Sequence, residues 1–212
     1  MTPQDQQKTE PMPPFPGRVI HFGPFNVTSQ VFHLTPRSFA LINLKPLLPG
    51  HILVSPLAVK PHLSDLTAEE TTDLFLTVRR LQRTLKRVHS ADAFNVAVQD
   101  GEAAGQSVPH VHVHVIPRRK GDPAGDDRIH RWLEGEEGNV GGHQWDAERR
   151  GRVQASWLRD EERGARTKEE MEAEAGMLRR EIERDGEEEG GGGREVLGGP
   201  CELWLELEDW QL

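Results

Sequence analysis

Residues 109–117 read Pro109-His110-Val111-His112-Val113-His114-Val115-Ile116-Pro117. This strict alternation is typical of a β-strand, in which successive side chains point to opposite faces. Three histidines would then share one face and three valines the other. Valine is stiff and favours strands, so a buried valine face would hold the imidazoles in one orientation. The pattern predicts a strand that carries a fixed row of imidazoles.

Three interpretations of the histidine face remain open from the residues alone. The face could be the solvated side of a half-buried sheet. It could bind a metal, because imidazole is a common zinc, copper and iron ligand. At about 3.3 Å per residue, however, His110 and His114 lie about 13 Å apart, so at most two of the three histidines could share one ion. Finally, one imidazole could act as a nucleophile on phosphorus.

The loop before the strand, Gly105-Gln106-Ser107-Val108, favours the nucleophile. It offers a backbone that can approach closely, an amide side chain and a hydroxyl donor. Attack on phosphorus needs such donors around the non-bridging oxygens. The alternative for Gly105 is a turn residue with no ligand.

Composition limits the class of protein. The chain has 212 residues, of which 35% are hydrophobic, enough for one domain. Acidic residues outnumber basic ones by 35 to 26, so neither a nucleic acid nor a membrane surface is an expected partner. The single cysteine, Cys201, cannot form an internal disulfide, and residues 1–17 hold no apolar run of a signal peptide. We expect a cytoplasmic or nuclear protein, and no window is long and apolar enough for a membrane span.

The order of elements follows from apolar periodicity. Residues 1–17 are proline-rich and predict a disordered leader. Apolar runs at 31–32, 39–42 and 52–54, separated by proline-containing turns, predict an antiparallel meander. A capping box at residues 67–70 then begins a helix whose apolar residues recur at helical spacing: Leu74, Val78, Leu81, Leu85 and Val88. Strands at 94–98 and 110–116 follow.

The second half of the chain is less regular. Residues 119–154 predict a flexible loop, since they are rich in Gly, Asp, Glu and Arg. A second capping box at 167–170 precedes an apolar helical face within a segment at 155–185, formed by Met171, Ala175, Leu178 and Ile182. The acidic, glycine-rich residues 186–212 predict a linker and tail.

With these residues in view, the chain resembles the histidine triad superfamily, whose signature is His-φ-His-φ-His-φ-φ with φ apolar. Residues 110–116 match it throughout, and the similarity runs over residues 18–118. Two further stretches carry it, residues 39–56 and residues 99–108. The Pro117-Arg118 ending resembles the fragile-histidine-triad branch, the dinucleoside polyphosphate hydrolases, whereas nucleoside phosphoramidases typically have a Gly-Gly pair there. The resemblance implies an α+β fold: an antiparallel sheet, a long helix after the first meander and a C-terminal helix, with residues 18–118 as the domain core.

The resemblance also implies roles. His112 is the expected nucleophile, forming a nucleotidyl-histidine intermediate, while His114 binds phosphate and His110 and His51 orient the nucleophile. The remaining expected substrate contacts are Asn43, Gln99, Gly105, Gln106, Ser107 and Val108. Phe22, Phe39, Leu41 and Leu53 are candidates for the base pocket or for plain core.

The implied reaction is hydrolysis of a dinucleoside polyphosphate, above all of diadenosine triphosphate to AMP and ADP. A homodimer and a divalent cation, Mg or Mn, are implied as well, although no dedicated cation ligands are visible in the sequence. A nucleoside phosphoramidase and a nucleotide-binding signalling module of the same superfamily are the alternatives.

Overall fold

The computed structural model describes residue 15, residues 17–124 and residues 165–191. Its centre is a five-stranded antiparallel sheet in the order β3-β4-β5-β7-β6. The strands are β3 (Val31–Leu34), β4 (Ser38–Ile42), β5 (Ile52–Pro56), β6 (Ala93–Val98) and β7 (Val113–Arg118). Strands β3, β4 and β5 form the predicted meander. The α+β class is therefore confirmed.

A short hairpin precedes the sheet and was not predicted. It consists of β1 (His21–Phe22) and β2 (Phe25–Asn26), with Gly23 in the turn at a φ of 54°. Strands of two residues have no periodic pattern that a sequence could reveal. The hairpin contributes Phe22 to an apolar cluster that covers one face of the sheet and also holds Val27, Val31, Phe39, Leu41, Leu53 and Val108.

The opposite face of the sheet is covered by helices. Val113 and Val115 of β7 lie in the main core together with Leu74, Val78, Leu81 and Leu85 of helix α1 (Ala68–His89). The predicted capping box is present, since the Glu70 N–H donates to Thr67 Oγ1 (3.2 Å) and the Thr67 N–H donates to Glu70 Oε2 (2.8 Å). The long helix after the first meander is confirmed.

Helix α2 (Lys168–Gly191) is the predicted C-terminal helix. Its capping box forms as expected, with the Glu170 N–H on Thr167 Oγ1 (3.2 Å), and its apolar face of Met171, Ala175, Leu178 and Ile182 is buried. The helix continues to Gly191, past residue 185 where the prediction ended it. Each added helical residue gains one backbone hydrogen bond. The glutamates that follow Gly186 are good helix formers, although an acidic, glycine-rich composition is typical of a linker.

The start of the segment predicted as a flexible loop packs against the domain. Ala124 is fully buried with Leu47, Leu48 and Ile116, and Asp122 pairs with Arg118 at 2.7 Å. Residues 119–124 form no helix or strand and are anchored by this small buried side chain, and the flexibility of the loop stays a prediction. The rest of that loop lies outside the described residues, as do residues 155–164 of the next predicted segment. Nearly all of the leader and the tail beyond Gly191 also lie outside them. Neither described helix is long and apolar enough to cross a membrane.

Candidate active site

The histidine segment enters the sheet later than predicted. Strand β7 begins at Val113, so of the three histidines only His114 lies in it. The main chain of Val111 bonds elsewhere: its N–H donates to the Lys60 carbonyl (2.7 Å), and its carbonyl accepts from Ser55 Oγ (2.9 Å). The alternation nevertheless holds, with Val113 and Val115 in the helix-covered core and the histidine rings among aromatic side chains of the other face.

The histidine face is buried. His110, His112 and His114 are 0%, 1% and 0% exposed. Phe22 stacks on the His110 ring at a centroid distance of 5.3 Å and meets the His112 ring edge-on at 5.1 Å. The interpretation as the solvated side of a half-buried sheet is therefore wrong. Phe22, Phe39, Leu41 and Leu53 are all fully buried in one apolar cluster.

His110 has both ring nitrogens bound to main-chain groups. The Gly23 N–H donates to Nδ1 (3.0 Å), which leaves the proton on Nε2, and Nε2 donates to the Pro56 carbonyl (2.8 Å). A ring held in this way has no lone pair left for a metal. Across the described residues, no group of three or more His, Cys, Asp or Glu side chains is arranged to hold an ion.

His112 is oriented by the backbone. Its Nδ1 donates to the His110 carbonyl (2.9 Å), which places the lone pair on Nε2. Nε2 makes no hydrogen bond with any residue that the structure describes. Burial lowers the pKa of His112 to about 4, so the ring is neutral at pH 7. His112 therefore has the tautomer and charge state that a nucleophile needs.

His51 and His114 form a pair next to His112. The Leu47 N–H donates to His51 Nδ1 (3.1 Å), so the proton lies on His51 Nε2, which donates to His114 Nδ1 (3.0 Å). His114 must then be protonated on Nε2, a buried N–H with no partner in the described part of the chain. An unpaired buried donor costs about 1–3 kcal/mol, a cost that a phosphate oxygen would remove.

The hydrogen bond of His51 is to His114 rather than to His112, and the expected role of His51 in orienting the nucleophile stays a prediction. The His110 carbonyl accepts the hydrogen bond from His112 Nδ1. Burial is the main cause that lowers the pKa of His51 to about 3, and it also holds the pKa of His114 well below its usual value. His112 and His114 lie with ring centroids 4.9 Å apart, so the lone pair and the free N–H belong to neighbouring rings.

Asn43 supports the same pair. It is 1% exposed, its Nδ2 lies 3.1 Å from both ring nitrogens of His51, and its Oδ1 accepts from the Lys45 N–H (3.2 Å). The structure thus brings Asn43 to the site, with its side chain engaged by protein groups. Gln99 is also buried, at 7% exposure.

The loop at residues 101–106 is braced internally. The Gln106 side chain accepts from the Gly101 N–H (2.9 Å) and donates to the Pro61 carbonyl (2.7 Å), so both ends of its amide are occupied. Gly105 adopts a φ of 89°, a conformation that favours glycine, which supports the turn interpretation. Directly before the loop, Asp100 pairs with His62 Nδ1 at 3.0 Å.

The end of the loop joins the hairpin. Ser107 is half-buried, and Val108 is buried at 2% exposure. A Cβ on Gly23 would lie 2.6 Å from Val108 Cγ1, so the hairpin turn approaches the loop closely. The loop, the hairpin and the histidine segment are therefore neighbours.

Comparisons with known proteins agree with this geometry. A family model described as HIT domain matches residues 25–121. The asymmetrical bis(5'-nucleosyl)-tetraphosphatase of Schizosaccharomyces pombe is 44% identical over 178 residues, which is 80% of this chain and 98% of that protein. The chain belongs to the HIT domain family.

Further relatives of this HIT protein have related activities in their names. A bis(5'-adenosyl)-triphosphatase of Dictyostelium discoideum is 46% identical over 117 residues, covering 55% of this chain and 78% of that protein. Among solved structures, Plasmodium falciparum diadenosine triphosphate hydrolase in complex with Cyclomarin A is similar with a TM-score of 0.59 and 28% identity, over 81% of this chain and 89% of that chain.

Sequence reasoning missed the groups that hold the HIT histidines in place. Among them are four groups that bind His110 or the main chain of Val111 beside it: the Gly23 N–H, Ser55 Oγ and the carbonyls of Pro56 and Lys60. Three of the four are main-chain groups, which leave no mark in the sequence. Ser55 could have been noticed as a polar residue at the end of an apolar strand.

Proposed function

We propose that this HIT protein hydrolyses dinucleoside polyphosphates, with diadenosine triphosphate as substrate and AMP and ADP as products. The observation that carries the proposal is the pair of neighbouring rings: within the described residues, neutral His112 has a lone pair on Nε2 that accepts no hydrogen bond, and His114 has an N–H without a partner. The activities in the names of the relatives support the same substrate class.

The reaction proceeds in two displacements. His112 Nε2 attacks the α-phosphorus, a P–N bond forms, and the anhydride bond breaks with ADP as the leaving group. Water then attacks the same phosphorus and releases a proton to solvent, the P–N bond breaks with its electron pair returning to Nε2, and AMP leaves while His112 returns to its neutral form. A ring that stays neutral near pH 7 is available for every turnover.

His114 stabilises the transition state in this proposal. Its Nε2–H donates to a non-bridging oxygen of the attacked phosphate as charge redistributes. His51 keeps the His114 proton on His114 Nε2, because the Nε2–H of His51 donates to His114 Nδ1, the other nitrogen of that ring. A donor fixed in advance costs little reorganisation when the phosphate reacts.

A divalent cation, Mg or Mn, remains part of the proposal only as a companion of the substrate. The described residues offer no cluster of ligands for it, and Mg²⁺ commonly binds through substrate phosphates with few protein ligands. When bound there, the cation would shield the charge of the polyphosphate.

We also propose a homodimer in the cytoplasm or nucleus. The sheet has two edge strands, β3 and β6. The Val31 carbonyl of β3 accepts a hydrogen bond from Arg179 (2.9 Å), whereas on β6 the side chain of Val96 is 42% exposed. An edge strand of this kind favours pairing with a second chain. Light scattering of the protein and of Val96→Lys tests this: a dimer that the variant weakens is expected, and a monomeric unmodified protein would contradict it. The single cysteine is consistent with a reducing compartment.

The decisive experiment compares substrates and identifies products. Diadenosine triphosphate, diadenosine tetraphosphate and an AMP-amine conjugate are each incubated with the protein and with His112→Asn. Equal amounts of AMP and ADP from the triphosphate, absent with His112→Asn, are expected. A clear preference for the conjugate would identify a phosphoramidase. Normal turnover by His112→Asn would rule out His112 as the nucleophile.

A further inference from the structure

Arg166 precedes helix α2 and lies outside the set of residues predicted for the site. Its main-chain N–H donates to the Leu44 carbonyl (3.1 Å), and its guanidinium pairs with Glu174 of the same helix. The two side chains are only 20% and 17% exposed. Arg166 therefore fastens the beginning of α2 to the turn that follows β4.

That turn carries the support of the active site. Leu44 stands between Asn43 and Lys45, whose N–H binds Asn43 Oδ1. The Asn43 amide contacts the His51 ring, and His51 in turn sets the proton of His114. A continuous series of contacts thus runs from the main chain of Arg166 to the free N–H of His114.

The charge of Arg166 acts in the same direction. Burial is the main cause of the low pKa values of His51 and His89, and the positive charge of Arg166 lowers both further. Only neutral His51 can accept from the Leu47 N–H while donating to His114. A cation near His51 therefore favours the one protonation state that the pair requires.

We propose that Arg166 is a positioning residue, which couples α2 to the Asn43, His51 and His114 side of the active site. This inference rests on the proposed function, because it concerns the donor that His114 supplies in the transition state. A donor that acts mainly in the transition state affects kcat more than KM. Displacement of His114 should therefore lower kcat and leave KM nearly unchanged.

Three variants separate the two contacts of Arg166. Arg166→Lys keeps a cation, Arg166→Ala keeps only the main-chain N–H, and Arg166→Pro keeps neither. We expect kcat for diadenosine triphosphate to fall about tenfold or more in Arg166→Pro and about threefold in Arg166→Ala, with KM within about twofold. Arg166→Lys should recover at least half of the loss seen in Arg166→Ala.

Arg179→Ala is the matched control, because Arg179 also anchors α2, by its bond to the Val31 carbonyl and its position 6.0 Å from the Phe15 ring centroid. Its kcat should equal that of the unmodified protein. Equal losses in Arg179→Ala and Arg166→Ala would overturn the inference, since general loosening of α2 would then explain both.

The other outcomes are equally clear. Unchanged kcat in both Arg166→Ala and Arg166→Pro, or no recovery in Arg166→Lys, would contradict the inference. If Arg166→Pro does not fold, as judged by circular dichroism, the comparison of Ala, Lys and the Arg179 control decides alone. Absence of hydrolysis by the unmodified protein would contradict the proposed function instead, so the two failures are distinguishable.

Discussion

His51 Nε2 lies 3.0 Å from His114 Nδ1, and the Leu47 N–H occupies the other nitrogen of the His51 ring. Together these two contacts determine where the His114 proton lies. Replacement of His51 by Phe keeps an aromatic ring but removes both hydrogen bonds and leaves two buried polar groups unpaired. We expect the free energy of unfolding to fall by about 2–4 kcal/mol and kcat to fall about tenfold to a hundredfold.

Urea unfolding measures the loss of stability in His51→Phe, and steady-state kinetics measure the loss of kcat. His33→Phe is the control, since His33 is half-buried but lies on β3 near Asp73 and Arg80. It should leave kcat unchanged. A His51→Phe protein with normal kcat would show that His51 does not set the His114 donor.

Gly50 offers a second test of how the His51 turn is held. It adopts a φ of 79°, and a Cβ on it would lie 2.6 Å from the His89 ring. Gly50→Ala should therefore destabilise the protein by about 1–3 kcal/mol, through backbone strain and a steric clash. Thermal unfolding measures the change. In Gly50→Ala/His89→Ala, relief of the clash should make the double variant more stable than the sum of the single variants predicts; simple additivity would show that no clash exists.

Gln106 separates bracing of the loop from direct contact with substrate. Gln106→Ala frees the Gly101 N–H and the Pro61 carbonyl at a site with solvent access, so stability should change by less than about 1 kcal/mol. The loosened loop should raise KM about threefold to tenfold. Gln82→Ala, on helix α1, is the control and should not alter KM. Steady-state kinetics that show unchanged KM in Gln106→Ala would contradict the bracing role.

The depressed pKa of His112 predicts how stability depends on pH. Its folded value is about 4 and its ordinary value is 6.5, so the unfolded chain takes up the proton first as the pH falls. The stability contributed by neutral His112 is complete above about pH 6.5 and is lost as the pH falls towards about 4. Urea unfolding between about pH 7 and pH 5 should show a steeper decline for the unmodified protein than for His112→Asn. Equal declines would contradict the low pKa.

Much of the fold could be predicted because its signals are local. The alternation of residues 110–116 and the capping boxes at Thr67 and Thr167 each specify one element from a few neighbouring residues. The β1–β2 hairpin could not be predicted, since two-residue strands have no periodicity, and neither could its contact with the histidines. That contact joins Gly23 to His110, 87 positions away.

The candidate site shows the same division. The identities of His51, His110, His112 and His114 were accessible from the sequence, but which ring orients which was not. The His110 carbonyl and the Leu47 N–H settle that question, and any residue type carries such groups. The order in which these groups meet depends on packing between distant segments.

In the proposed reaction, His112 Nε2 forms a covalent bond to the nucleotide. Rapid alkaline quenching of the protein during turnover of diadenosine triphosphate, followed by peptide mass spectrometry, tests it directly. We predict a peptide containing residues 110–116 that has gained one adenylyl group on His112, and no such peptide from His112→Asn. An adenylyl group on another residue, or an equal amount of adduct in His112→Asn, would contradict the assignment of His112 as the nucleophile.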